Sequence, residues 1–190
     1  MSWTFFREFL FNWKATGAIA PSSQGLGRCM VKAANVDESR CILELGPGTG
    51  AFTSLIRSAM PSGARYLGLD MNPTFITRLS RLHPDLRFAT AAAQDFDFND
   101  FLGEAEQFDA IISGLPWTAF PEALQISILD HVMPRLKKGG VLATFAYAGF
   151  HRLPSGKHFR EKLASHCSTL KTTRTVWLNL PPAFVYAAVK

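Results

Sequence analysis

The sequence predicts an α/β domain with a doubly wound, mostly parallel sheet of seven strands, and three observations carry that prediction. From Cys41 onward, short apolar runs alternate with helix-like segments, the pattern left by strand–helix–strand units. A glycine-rich turn, Gly46-Pro47-Gly48-Thr49-Gly50, stands where the first run ends and a helix should begin. An acid, Asp70, closes the second run. At 190 residues and 47% hydrophobic content, the chain suits one structural domain with a sizeable core.

Along the chain, residues 1–40 read as N-terminal helices ahead of a core spanning 41–190. A helical projection of Trp3 to Lys14 gathers Trp3, Phe5, Phe6, Phe9, Leu10 and Trp13 on one side. Arg7 and Lys14 border that apolar arc, and Glu8 and Asn12 lie across from it. A turn over residues 17–23 follows, and Ser22 or Ser23 caps a helix running towards Ala34. Strands are expected at 41–45, 66–69, 86–89, 110–113, 141–146, 173–179 and 183–189. Helices are expected at 51–59, 73–82, 121–136 and 155–166. The third of these opens on Pro121 and is closed by Gly139-Gly140, following the usual asymmetry of proline and glycine at helix ends.

The glycine turn lets the backbone reverse tightly and lets a ligand approach the main chain without Cβ interference. No Lys-Ser/Thr pair follows the glycines, so a P-loop is excluded, and the spacing is not GxGxxG. Asp70 lies about 20 residues beyond the turn, where a carboxylate takes both ribose hydroxyls of an adenosine. After the third strand, Ala93-Gln94-Asp95 is placed to read an adenine edge, with Asp95 accepting from the exocyclic amine. Glu44 precedes the glycines and suits an amino group, directly or through water. Glycine loop, ribose acid and adenine-side acid, in that order over residues 41–146, resemble the class I S-adenosylmethionine methyltransferases.

The acceptor side is read from Ser113-Gly114-Leu115-Pro116-Trp117 at the end of the fourth strand, the turn towards which a sulfonium methyl points in this architecture. Adenine-modifying members carry Asn or Asp in the position of Ser113, so this sequence departs from the base-methylating pattern. Trp117 is left open to stacking on a base, to a cation–π contact with a charged amine, or to plain burial. Tyr147, His151 and Arg152 follow the fifth strand on the same rim. Arg152 can bind a phosphodiester bidentately, while Tyr147 or His151 can fix an amine and accept a proton.

A net charge of +5 and a pI near 9.3 favour a polyanionic partner, either nucleic acid or an anionic bilayer. Cys29, Cys41 and Cys167 form no CxxC pair, so neither a disulfide framework nor a zinc site is expected. No apolar run reaches the roughly 18 to 20 residues that span a bilayer, and the N-terminus lacks a signal-peptide pattern. A reducing cytoplasm is therefore the expected home, and any work on membranes would be peripheral.

Together with Phe11-Asn12-Trp13-Lys14, the residues 16–23 string, Val176-Trp177 and the residues 179–186 string, these features are similar to the bacterial phospholipid N-methyltransferases of the soluble, rRNA-adenine-dimethylase-like type. The resemblance covers nearly the whole chain. It implies S-adenosylmethionine as cofactor and stepwise methylation of phosphatidylethanolamine, through mono- and dimethyl forms, to phosphatidylcholine. It further implies a first helix lying on the membrane and residues 16–23 closing over the cofactor. Cofactor contacts are implied for Thr16, Ala18, Glu44, Gly46, Gly48, Asp70, Met71, Gln94, Asp95 and Ser113, and a catalytic rim of Ser113, Leu115, Tyr147, His151 and Arg152. A phospholipid membrane is the implied partner, and no metal and no nucleic acid are expected; the sequence is silent on oligomeric state, with a monomer favoured. An RNA adenine methyltransferase is the competing reading, set against by a chain that ends at its final strand with no C-terminal helical domain. Another aminolipid, such as ornithine lipid, is the competing acceptor.

Overall fold

The computed structural model describes residues 23–103 and 107–190. The helix expected over Trp3 to Lys14 and the cofactor-covering role expected of the segment with Thr16 and Ala18 fall outside the described residues.

Seven strands form one sheet: β1 (Cys41–Leu45), β2 (Arg65–Asp70), β3 (Arg87–Thr90), β4 (Phe108–Ser113), β5 (Leu136–Tyr147), β6 (Thr169–Thr172) and β7 (Ala183–Val189). Their order is β3-β2-β1-β4-β5-β7-β6. Strands β1 to β5 run parallel, and β7 lies antiparallel to both β5 and β6. The chain's progress across the sheet reverses between β1 and β4, and the crevice outside the carboxyl ends at such a point is where open α/β sheets bind ligands.

The β1 segment Cys-Ile-Leu-Glu-Leu is buried at every position, as a central parallel strand covered on both faces must be. One face packs Leu43, Leu45, Leu67, Ile111 and Leu142 against α4 (Asn99–Leu102), α5 (Glu122–Val132) and α6 (Pro154–Ser165). The other packs Ile42, Ala110, Ile112, Ala143 and Val185 against Leu26 and Met30 of α1 (Gln24–Ala33) and Ile56 of α2 (Thr53–Ala59). Ser23 is the cap of α1, its Oγ accepting from the Leu26 N–H at 3.2 Å. Helix α3 (Pro73–Leu82) has the bounds read from sequence; Asn72 caps it through the Thr74 N–H at 3.0 Å, and Pro73 opens it.

Three sequence expectations are corrected. The sixth strand is Thr169–Thr172, and of the residues 173–179 assigned to it only Val176 makes a bridge, to Ala183. The helix opened by Pro121 stops at Val132, where Met133–Arg135 tightens into a 3₁₀ turn around Pro134. Gly139 and Gly140 belong to β5, not to a helix stop. A Cβ on Gly140 would come within 2.9 Å of the Asp109 carbonyl, so close strand approach is what requires glycine there.

Candidate functional site

Strand β1 delivers the chain into the glycine turn, which is locked to its neighbours by backbone bonds. The Gly46 N–H donates to the Leu69 carbonyl at 2.8 Å, and the Gly114 N–H donates to the Leu45 carbonyl at 2.8 Å. The turns after β1 and β4 interlock so tightly that a Cβ on Gly114 would lie 2.7 Å from the Gly46 carbonyl oxygen. Gly48 is different. It has φ +55°, and a Cβ there would meet nothing nearer than the Gly46 oxygen at 4.0 Å. The positive φ favours glycine, and among the described residues the space above it is clear of protein atoms.

Asp70 ends β2 beside this turn and is buried. Its Oδ2 accepts from the Gly48 N–H at 2.9 Å and its Oδ1 from the Asn72 N–H at 2.8 Å. Burial raises its pKa, and the two N–H donors pull the other way. Each carboxylate oxygen retains a further lone pair, the two adjacent acceptors that vicinal ribose hydroxyls need.

Glu44 sits within β1 with no exposure. Its Oε2 accepts from the Thr53 hydroxyl at 2.9 Å and from the Tyr66 phenol. Its Oε1 is buried with no hydrogen-bond partner among the described residues. Burial pushes the Glu44 pKa up to about 7, only partly offset by the Tyr66 and Thr53 hydrogen bonds, and Asp70 adds to the rise. An orphaned buried carboxylate oxygen costs free energy that an ammonium ligand would recover, which fits the role expected of Glu44.

Next to Asp70 opens a cleft of about 600 Å³, part of it open to solvent, bounded by Gly46, Met71, Gln94, Leu115, Phe120 and Leu124 among others. Gln94 lines it, and its Nε2 donates at 3.1 Å to the carboxylate of Asp95, which is exposed beside it. Apolar walls with a few polar groups suit a flat nucleobase. Phe120, Leu124 and Ile128 of this wall were missed by sequence reasoning. Leu124 and Ile128, four residues apart on α5, gave the available signal, whereas Phe120 precedes the helix. Thr53 and Tyr66, the partners of Glu44, carried no sequence signal because they come from α2 and β2.

Of the acceptor-rim residues, Ser113, read as a catalytic-rim and cofactor-contact residue, is fully buried, and its hydroxyl accepts from the Trp117 Nε1–H at 3.0 Å and the Leu115 N–H at 3.3 Å. Trp117 is only 2% exposed, its indole stacked on Phe159 with centroids 4.8 Å apart, so burial is the outcome among its three readings. Leu115 does line the cleft. Tyr147, half-buried at the end of β5, packs on the α1 face of the sheet, and burial raises its phenol pKa. His151 lies across the rim, edge-on to Phe184 of the other face at 5.1 Å. Its Nδ1 accepts from the Gly149 N–H at 3.3 Å, so in the neutral ring Nε2 carries the proton and acts as a donor. Arg152 is exposed in the same 3₁₀ turn, Phe150–Arg152.

A methyltransferase-domain family model matches residues 43–142 of the chain. The ornithine lipid N-methyltransferase of Singulisphaera acidiphila is 31% identical over 144 residues, 72% of each chain. Among solved structures, the O-methyltransferase from Bacillus cereus in complex with SAH superposes with a TM-score of 0.68 at 16% identity, covering 100% of this chain and 92% of that one. The N-methyltransferase NodS from Bradyrhizobium japonicum superposes with a TM-score of 0.64 at 17% identity, covering 87% and 92%.

Proposed function

Because the chain belongs to the methyltransferase-domain family and uses S-adenosylmethionine as its cofactor, we propose that it N-methylates the amine headgroup of a membrane lipid. Phosphatidylethanolamine and its mono- and dimethyl derivatives are the acceptors in this reading, and phosphatidylcholine is the final product. The observation that carries it is the burial of Trp117 and Ser113. A flat base needs a stacking ring and a polar holder at the β4 turn, and both are sealed inside, leaving Leu115 and Pro116 partly exposed. A flexible headgroup amine needs neither.

When bound, the cofactor supplies an electrophilic methyl group; the chain's residues align and orient. Glu44 holds the amino end, Asp70 the ribose, and Gln94 with the Phe120 and Leu124 wall the base. The lipid amine is mostly protonated at neutral pH, with a pKa near the lysine value of about 10.4, so a proton must leave before the nitrogen attacks. Tyr147, kept a neutral phenol by its raised pKa, orients the amine as a hydrogen-bond partner. The proton then passes to solvent. Arg152 and the Nε2–H of His151 offer donors for the headgroup anion. The protein acts peripherally, at the inner face of the cytoplasmic membrane.

Ornithine lipid is the second reading, favoured by the name of the 31% identical relative. It too presents an amine on a flexible arm near an anionic group. Purified protein would be incubated with labelled methyl donor and, separately, phosphatidylethanolamine vesicles, ornithine lipid vesicles or RNA. Label in phosphatidylethanolamine supports the first reading, and label in ornithine lipid alone transfers the assignment to the second. RNA labelled with no lipid labelled would overturn both.

A further inference from the structure

The three most exposed large apolar side chains among the described residues, Trp177 (74%), Leu178 (92%) and Leu180 (72%), lie on the carboxyl edge of the sheet. Phe150 and Leu153 of the same edge are exposed as well, while Leu82, 57% exposed, ends α3 and is not part of this group. Tyr147 at the end of β5 pairs with Ala183 at the start of β7, so the turn leaving β5 and the turn entering β7 share this edge. A bond from the Ala148 N–H to the Pro182 carbonyl at 2.8 Å ties them together. The cofactor cleft opens on the same edge, outside β1, β2 and β4.

The 177–180 turn is held in place. Asn179, only 3% exposed, accepts from the Ser23 N–H at 2.9 Å and donates from Nδ2 to the Pro181 carbonyl at 2.7 Å. Its own N–H donates to the Val176 carbonyl at 3.3 Å. A buried polar residue thus fixes a turn whose neighbours on both sides point their apolar side chains into solvent. An ordered patch of this kind marks an interaction site.

Charge identifies the occupant. From Tyr147 to Lys190 the one acidic residue is Glu161, set against Arg152, Lys157, Arg160, Lys162, Lys171, Arg174 and Lys190. Arg152 and Arg174 are exposed and flank the apolar turns in sequence. Tryptophan and leucines with cations beside them are what an interfacial element presents to a bilayer carrying anionic lipid, the rings at headgroup depth and the cations at the phosphates.

We propose that the 177–180 turn, with Phe150 and Leu153, is a bilayer-docking surface that inserts shallowly into an anionic membrane and brings the cofactor edge against the headgroup layer. It rests on the aminolipid reading for its purpose, but its physical content is membrane binding through these side chains.

The full chain would be mixed with vesicles of phosphatidylethanolamine and phosphatidylglycerol, and partitioning read by flotation. Leu178→Ser combined with Leu180→Ser removes two exposed apolar side chains and should lower partitioning about tenfold or more, with cofactor affinity by calorimetry unchanged. Methylation of a short-chain phosphatidylethanolamine dispersed as monomers should proceed at the wild-type rate in this variant, while methylation of vesicles falls. Unchanged partitioning would overturn the proposal. In a background with Cys29→Ser and Cys167→Ser, an environment-sensitive fluorophore on Leu178→Cys should be open to iodide without vesicles and shielded with them. Shielding without vesicles would mean that residues 1–22 or a second copy cover the turn, which also overturns it. Should no lipid be methylated in any form, the aminolipid reading fails, and partitioning still decides the docking surface.

Discussion

The Asp70 carboxylate accepts a hydrogen bond from the Gly48 N–H at 2.9 Å, so the acid that ends β2 also fixes the glycine turn that follows β1, 22 residues away. One side chain thereby shapes the loop and offers ribose acceptors. Asp70→Ala should weaken cofactor binding about tenfold to a hundredfold, the loss of one or two charge-assisted hydrogen bonds. Asp70→Asn, which keeps one acceptor, should fall between. Titration calorimetry measures both, and unchanged affinity in Asp70→Ala would remove the ribose assignment.

Gly48→Ala separates loop strain from ligand fit. With φ +55° and no atom of the described residues closer than 4.0 Å to the added carbon, the cost to folding should be about 1–2 kcal/mol. Cofactor affinity should drop by more than that strain alone accounts for, because the methyl group occupies space a ligand on the turn would use. Denaturant midpoints and calorimetry on the same preparation test the pair. Loss of stability with unaltered affinity would show that the cofactor does not approach Gly48.

Burial holds the proton on Glu44 up to about pH 7 in the folded chain, whereas the ordinary value is 4.5. Between those values the folded state binds more protons than the unfolded state, so stability falls as pH rises through this window. Across the full shift the loss is about 3 kcal/mol. The urea midpoint should decline from pH 4.5 to 7.5, and Glu44→Gln should flatten that decline. Cofactor affinity should rise from pH 5.5 to 7, since an ammonium against Oε1 favours the ionised carboxylate. An affinity that is flat over this range in the wild type would count against Glu44 as the amino-group partner.

Trp117 and Ser113 are structural at this edge, and their substitution should register first as lost stability. Trp117→Ala empties a site stacked on Phe159 and should cost about 3–5 kcal/mol. Ser113→Ala strands the indole N–H and should cost about 1–3 kcal/mol. Urea denaturation checks both. Wild-type stability with a selective loss of acceptor affinity would return Trp117 to the substrate site.

The central parallel strands β1, β2 and β4 were legible because they are almost wholly buried and read as short, mostly apolar runs, and because the glycine turn and Asp70 act through local chemistry. The sixth strand was not. Thr169–Thr172 lies at the sheet edge with only Leu170 partly buried, so it leaves little apolar signal. The neighbouring Thr-Val-Trp-Leu stretch looks strand-like but forms the turn pinned by Asn179. Trp117 was ambiguous for another reason: whether an indole faces solvent or the core depends on Phe159, 42 residues further on, which no local pattern reveals. Tyr147 and His151, close in sequence, are turned to opposite faces by the end of β5, a separation that only the register with β7 fixes.

That separation makes Tyr147 the rim residue with the sharper test. Desolvation raises its phenol above the ordinary value of 10.0, so it is neutral throughout the physiological range and serves by position, not as a phenolate base. Tyr147→Phe keeps the ring contacts with Phe145 and Phe150 and deletes only the hydroxyl. Turnover should fall about tenfold, the scale of one lost hydrogen bond in the transition state, with cofactor affinity within twofold of wild type. The pH–rate profile should keep its shape below pH 9, since the proton that leaves the amine is not taken by this oxygen. A wild-type rate in Tyr147→Phe would remove the residue from catalysis, and a limb of the profile that vanishes in the variant would show that the phenol titrates during turnover.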